Sequence, residues 1–476
     1  MSDPAGVTVQ SVHRFEVPFA GGRSAQAPMT WGQIALWDVL AWLPPGDASL
    51  NLVLHCEVPP GTTSSEVGAA VAALVGRHES LRSRYLDRDG ELVQQVVGEG
   101  AVPVEVFEAG TATTAGAAAV VANQLRVVAF DGATDPPLRV GMITRAGVPV
   151  WLVLVLHHLA VDGWSLRILK EDLTALLRGG PPGLRPAGTQ PVERAGWERS
   201  EPGRQRNRRS LDFWRGHLER LPPVVVGCDT GEPGTDLEWS ELRSTALTTA
   251  ATSLGGRHRL SPALVVHAGL LLVIGAYLGE RQVATRMIVA TRFAAEQRRL
   301  VGAFNQNALF CLTVADEPFS TYLLRAAEAE LLAYRHSEYD LRALHGVLAE
   351  VGAARAVPLN GFCFFNDVRA DVGGRQGVGR TATPEPTAEL LARQRAASRI
   401  NRLTAEHRAR EARLFFYLHA LAPKAFCSVG VDPGFAPGRT SADLLADLEW
   451  LLLHACRADD SAETLWRALA GARAAA

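Results

Sequence analysis

The residues best suited to chemistry in this sequence are two adjacent histidines and the aspartate and glycine that follow them, in the run His157-His158-Leu159-Ala160-Val161-Asp162-Gly163. A neutral imidazole accepts a proton near pH 7, which is the task set when an amine or hydroxyl attacks an acyl carbon. Asp162 could orient an imidazole directly or clamp the turn through a distant arginine, and Gly163 permits a positive φ or a close backbone approach. The pair follows the apolar run Val148 to Leu156, which reads as a strand. A strand end holds the backbone still while the turn beyond it exposes side chains. Successive residues leaving a strand point opposite ways, so one imidazole is expected to face a cavity and the other the scaffold. Two arbitrary histidines beside such a strand would be core residues, and it is the whole pattern that argues for function. Metal binding through His157, His158 and Asp162 is disfavoured, because adjacent histidines rarely converge on one ion and no further ligand cluster appears in the sequence.

The elements that must position these residues are legible on both sides. Thr30-Trp31-Gly32-Gln33 is a capping-box pattern followed by Ile34, Leu36, Trp37, Leu40 and Ala41 at helical spacing. Leu50 to Val58 alternates like a half-buried strand, and a second capping box, Thr63 to Glu66, opens a helix with Val67, Val71, Leu74 and Val75 inside. Leu138 to Leu156 offers two strands parted at Arg145-Ala146-Gly147. Beyond Gly163, the residues Leu166, Leu169, Leu173, Leu176 and Leu177 mark an amphipathic helix that stops at Arg178-Gly179-Gly180. Gly179 to Ser210, rich in Pro, Gly and Arg, reads as a connector between domains. The division that follows is 1–180, a linker over 181–210, and 211–476. The second part contains a helix around Leu211 to Leu221, a buried helix from about Ser261, strands at Gln282 to Ala290, Gly361 to Phe365 and Leu414 to Leu418, and a last helix from Ser441. Between Ala370 and Glu411 a Gly/Pro-rich insertion precedes Arg393, Arg395, Arg399, Arg402, Arg408 and Arg410, read as a solvated helical face balanced by Glu389, Glu406 and Glu411.

Composition bounds the rest. A chain of 476 residues is long enough for two cores, and 47% hydrophobic with 21% charged residues is ordinary for a globular protein. A net charge of −2 provides no field to recruit nucleic acid or an anionic membrane, so neither is expected as a partner. Cys56, Cys228, Cys311, Cys363, Cys427 and Cys456 form no CxxC, which predicts free thiols in a reducing cytoplasm. The residues from Met1 to Val9 have no secretory character, and the longest apolar run, Ala263 to Leu278, falls short of a membrane span.

HHxxxDG after an apolar strand resembles the signature of the chloramphenicol-acetyltransferase-like superfamily, and further segments resemble nonribosomal peptide synthetase condensation domains in order along nearly the whole chain. Met29-Thr30-Trp31-Gly32-Gln33 through Leu36-Trp37 is similar to the first core motif, and Arg77-His78-Glu79-Ser80-Leu81-Arg82-Ser83-Arg84-Tyr85 to the second. Phe130-Asp131 with Pro136 to Val140, Leu211 to Trp214, Val289 to Arg292, Val301 to Phe304 and Phe365 to Asp367 resemble later segments. The resemblance implies an α/β (α+β) fold, a pseudo-dimer of two chloramphenicol-acetyltransferase-like domains in a V shape, with the active site at the bottom of the cleft. It implies His158 as the catalytic histidine, His157 and Asp162 as structural support, Gly163 beside the reaction centre, and Arg292 as the partner of Asp162, joining the two halves. His78 belongs to a structural helix end. Gln306 stands where the family has an asparagine, and the resemblance gives it and Asn366 to substrate binding.

The implied reaction joins an acyl or aminoacyl thioester to a small amine or alcohol. The donor is carried on the phosphopantetheine of a peptidyl or acyl carrier protein, or on CoA, with no bound cofactor and with the chain as a monomer. The sequence contains no adenylation-type phosphate loop, no GxSxG and no carrier-like serine motif, so a free-standing condensation enzyme fed from elsewhere is expected. The competing readings are an acyl-CoA-dependent O- or N-acyltransferase and a non-catalytic recruitment module. Such modules typically lack the second histidine, and the intact His158 argues against one.

Overall fold

The computed structural model describes residues 9–180, 188–227, 237–370, 385–404 and 411–471. The chain divides into two compact units, one of residues 1–204 with 290–305 and one of residues 205–289 with 306–476.

The first unit contains the strands β1 (Ser11–Ala20), β2 (Ala25–Pro28), β3 (Leu52–Glu57), β4 (Ser83–Arg88), β5 (Glu91–Val96), β6 (Glu99–Glu108), β7 (Leu138–Arg145) and β8 (Val148–Leu156). Its helices are α1 (Trp31–Trp42), α2 (Ser64–Arg77), α3 (Thr114–Arg126), α4 (Gly163–Leu177) and α5 (Pro191–Arg199). Five strands form a sheet in the order β1-β6-β7-β8-β3, and β2-β5-β4 form a smaller one. β8 is antiparallel to both of its neighbours, and its last residue, Leu156, is paired with Leu138 on one side and Leu52 on the other. Leu152, Leu154 and Leu156 enter a core with Val71 and Leu74 of α2 and Leu169 and Leu173 of α4, while Val153 and Val155 enter a second core with Val121 of α3. Burial on both faces explains why β8 reads as an unbroken apolar run. At about 1.5–3 kcal/mol for each fully buried aliphatic side chain, the strand end is held firmly.

Both expected capping boxes are present. Thr30 N donates to Gln33 Oε1 (2.8 Å) and Gln33 N to Thr30 Oγ1 (3.3 Å), and Thr63 and Glu66 repeat the exchange at 2.7 and 3.2 Å. Residues 188–210 depart from the expected connector, because α5 and then α6 (Glu201–Leu218) occupy most of them. Pro191 at the first turn, the Gln190–Glu193 capping box and the buried Arg194–Glu198 pair at 3.0 Å support helix where composition argues against it. At the corner between α5 and α6 a Cβ on Gly203 would stand 2.2 Å from Trp197 O, so only glycine permits the turn.

The second unit adds helices α7 (Pro223–Val226), α8 (Thr245–His258), α9 (Pro262–Leu278), α10 (Phe319–Arg335), α11 (Leu341–Arg355), α12 (Ala388–Ala396), α13 (Ser441–Arg457) and α14 (Ala462–Gly471). Its strands are β9 (Glu238–Ser244), β10 (Gln282–Ala290), β11 (Asn305–Thr313), β12 (Phe362–Asp367), β13 (Arg399–Leu403), β14 (Ala412–Ala420) and β15 (Ala425–Val431), in one sheet ordered β11-β10-β12-β14-β15-β9-β13. α9 is apolar all round because α8, α10, α13 and α14 pack on it. Within it, His267 lies 2.7 Å from Thr285 Oγ1 and stacks on Phe365 at 3.9 Å between ring centroids, and burial pushes its pKa down to about 3. No single helix among the described residues is long and apolar enough to cross a membrane.

Two expectations are corrected here. The arginine-rich segment is not one helical face: Arg393 and Arg395 lie on α12, but Arg399 and Arg402 lie on β13, which pairs with the sheet strand β9. Arg408 and Arg410 fall outside the described residues. The helix that starts at Ser441 is followed by α14 and is not the last.

Candidate functional site

His157 continues the β7–β8 ladder, its N–H donating to Pro137 O at 2.9 Å. Its ring turns into the scaffold, 5.4 Å from the Phe130 ring and 6.2 Å from that of Tyr85. Gly132 leaves the room for it, since a Cβ there would stand 3.3 Å from His157 Cε1. Burial pushes the His157 pKa down to about 4, with the charges of His158 and Arg139 acting in the same direction and that of Asp131 against them.

His158, unlike the buried His157, is half-buried. Beyond it the chain makes a tight turn, with Ala160 N bonded to His157 O (2.9 Å) and Val161 N to His158 O (3.3 Å). This turn brings Val161 O within 2.9 Å of His158 Nδ1. A carbonyl only accepts, so Nδ1 carries the hydrogen and the lone pair belongs to Nε2. Burial lowers the His158 pKa, opposed by backbone contacts and the Asp162 charge, so the ring is neutral at pH 7.

Asp162 is fully buried and caps α4. Its Oδ1 accepts from Ser165 N (2.9 Å), Ser165 Oγ (2.8 Å) and Arg292 Nη2 (2.9 Å), and its Oδ2 from Arg292 Nη1 (2.7 Å) and Phe304 N (3.0 Å). Both oxygens are thus engaged by the helix end and an arginine fork, and of the two roles open to Asp162 the clamp is the one it fills. Burial opposes its ionisation, but the Arg292 charge and these hydrogen bonds outweigh burial and hold the carboxyl below the usual range. Arg292 is equally enclosed, donating also to Leu300 O (2.9 Å) and Gly302 O (3.0 Å). Gly163 is the buried first residue of α4 and is not in the left-handed region, so a positive φ is not its purpose.

The expected bridge between halves is corrected by the course of the chain. Residues 290–305 belong to the first unit, so the Asp162–Arg292 pair is internal to it. The segment runs along α4, where Trp164 Nε1 donates to Arg298 O (3.0 Å) and Arg299 pairs with Glu171 (2.8 Å) and Asp172. Asp172 also binds His78 Nε2 (2.9 Å) and Arg77 Nε (2.8 Å), which explains His78 as a buried structural residue. On the other side α1 approaches so closely that a Cβ on Gly32 would stand 2.5 Å from Ala303 O.

Five of the expected site residues, His157, His158, Asp162, Gly163 and Arg292, are therefore built into one local arrangement. Gln306 and Asn366 lie in the second unit. Gln306 is buried on β11, with its Nε2 donating to Tyr339 O (3.1 Å), while Asn305 and Asn307 alternate to the other, half-buried face. Asn366 is half-buried on β12, opposite Tyr417 of β14. No motif points to Ser165 and the Phe304 N–H as partners of Asp162, or to the Gly302 backbone as the partner of Ser165 and Arg292. Ser165 alone had a local signal, its position three residues after a helix-capping aspartate.

The family model described as Condensation domain matches residues 28–365. Phosphinothricin tripeptide synthetase PhsC of Streptomyces viridochromogenes is 28% identical over 289 residues, an alignment that covers 58% of this chain and 26% of that protein. The chain thus spans about a quarter of that relative's length. Among solved structures, the condensation domain for chain release from the enacyloxin polyketide synthase matches with a TM-score of 0.67 at 21% identity, covering 92% of this chain and 82% of that one. SgcC5 from Streptomyces globisporus matches with a TM-score of 0.65 at 20% identity, covering 91% and 100%. These likenesses establish the mixed α/β fold of two chloramphenicol-acetyltransferase-like halves that the motifs imply. Because the family match extends over well more than half of the sequence, the chain belongs to the condensation-domain family, acyltransferases that form amide or ester bonds from thioesters presented by carrier proteins.

Proposed function

We propose that this protein condenses an acyl or aminoacyl group, held as a thioester on a carrier protein's phosphopantetheine, with a small amine or alcohol, and that His158 receives the acceptor's proton. The observation that carries this reading is the His158 ring: neutral, with Nδ1–H donated to Val161 O and the lone pair left on Nε2. The acceptor donates its N–H or O–H to Nε2 and attacks the thioester carbonyl. As the new bond forms, the proton passes to the imidazole; the tetrahedral intermediate then expels the pantetheine thiolate, which takes the proton back. No acyl-enzyme is needed. A positioned base of this kind contributes roughly 10²–10⁴-fold. The Asp162–Arg292 clamp and the scaffold histidine His157 support the reading by holding the turn that carries His158.

We propose that the donor reaches the enzyme on the phosphopantetheine of a carrier protein rather than on CoA. The free thiols of Cys56, Cys311, Cys363, Cys427 and Cys456 support a cytoplasmic setting. The test is to mix the protein with acyl- and aminoacyl-loaded carrier proteins and a panel of primary amines and alcohols, and to follow product mass. An amide or ester made faster from the carrier-bound donor than from the same acyl group on CoA is the expected result. Preference for CoA would move the function to acyl-CoA-dependent transfer, and no product from either donor would favour a recruitment module.

A further inference from the structure

The second unit contains a cleft between α12 and α13 with a volume of about 500 Å³, inside the range of small-molecule sites. Leu391 and Leu453 are buried at its base, Trp450 forms a flat half-buried wall, and three alanines of α12 leave the space open. Its polar lining is all nitrogenous: Arg395, His454 and Arg457, with no carboxylate among the lining residues. Glu449 approaches Arg395 only at 4.0 Å, and its other oxygen is taken by Ser244 and by Ser398 at 2.7 Å, so among the described residues no side chain holds the Arg395 guanidinium by a hydrogen bond. Asp460 holds His454 Nε2 at 2.7 Å, and the His454 ring in turn stacks on Trp450 at 5.3 Å, so the aromatic wall is fixed in place.

An apolar base and aromatic wall beneath two guanidinium groups are complementary to an anion on an apolar body. The planar fork matches a carboxylate or phosphate, and the wall matches a chain or ring. We infer that the α12–α13 cleft binds a small amphipathic anion, a carboxylate or phosphate carried on an aliphatic chain or aromatic ring. None of the proposed acyl-transfer residues contributes to it, and the inference does not depend on which donor the enzyme uses.

The test is photolabelling of the full chain with a diazirine-bearing decanoate, alongside the matching decanol and decylamine probes, with the labelled peptides located by mass spectrometry. Decanoate is expected to label peptides from both α12 and α13, decylamine to leave them unlabelled, and His158→Ala to change neither result. Arg395→Ala with Arg457→Ala should weaken decanoate labelling on the order of tenfold, about 1.4 kcal/mol. Ala392→Trp, at an exposed position, should fill the cleft and abolish the label while leaving the melting curve unchanged. Equal labelling by decylamine, labelling confined to other peptides, or labelling undiminished in the double variant would overturn the inference.

Discussion

His157 and His158 are neighbours in the chain but titrate in different surroundings. In the unfolded chain His157 takes up its proton near pH 6.5, whereas in the fold burial delays this to about pH 4. Between those values the unfolded state binds more protons, so the contribution of His157 to stability is complete above pH 6.5 and lost as pH falls toward 4, on the order of 3 kcal/mol. His267, with its pKa pushed down to about 3, acts in the same direction. Urea melts at pH 7 and pH 4.5 should show the loss, and His157→Phe should flatten it; an unchanged pH slope in that variant would refute the assignment. Asp162 and Arg292 make a different kind of prediction. Removing one partner strands a buried charge, so Asp162→Ala or Arg292→Leu should each cost about 3–5 kcal/mol, with the double variant costing less than the sum. Single-variant losses below about 1 kcal/mol would mean that the pair does not hold the turn. The histidines and Asp162 could be read from the sequence because they lie within seven residues of one another. Arg292 is 130 positions away and could be matched only through family likeness.

At the scale of elements, α4 carries Asp162 at its start and Asp172 further along, and residues 290–305 lie along it, bound at both points by Arg292 and Arg299. α1 closes over the same segment, and Gly32 sets the distance. Gly32→Ala would bring a methyl group against the backbone oxygen of Ala303. We expect it to lower both the melting temperature and the condensation rate, whereas alanine at Gly196, a helical position with open space, should leave the rate unchanged and raise the melting temperature slightly. A Gly32→Ala protein with unaltered rate would show that this close approach does not matter. Elements that announce themselves locally were readable: the two capping boxes, the doubly buried β8, and α9 with its Ser261 cap. Elements stabilised by distant partners were not. α5 is held by α1, where Trp31 N donates to Glu198 Oε2 at 2.8 Å and the Trp31 ring meets that of Trp197, and β13 exists because β9 supplies its hydrogen bonds.

At the scale of the whole molecule, the motifs revealed the family and the kind of fold because each is local and their order is kept along the chain. They assigned the segment carrying Arg292 to the wrong unit, because chain order does not reveal which core a returning segment joins. Substrate choice was out of reach for a related reason, since side chains that select an acceptor are set by packing and follow no period. Gln306 illustrates this, its amide being committed to Tyr339 O in a way no motif could reveal. The most direct measurement is the single-turnover rate of condensation from a carrier-bound donor, followed against pH for the unaltered protein and for His158→Ala. A neutral base must be unprotonated, so the rate should rise with pH and level off, with its midpoint below the ordinary histidine value of 6.5 because burial lowers the His158 pKa. His158→Ala, folded and with its melting curve intact, should be slower by roughly 10²–10⁴-fold and should lose that acid limb. A His158→Ala protein that turns over at the original rate, or keeps the same pH profile, would contradict His158 as the group that takes the proton.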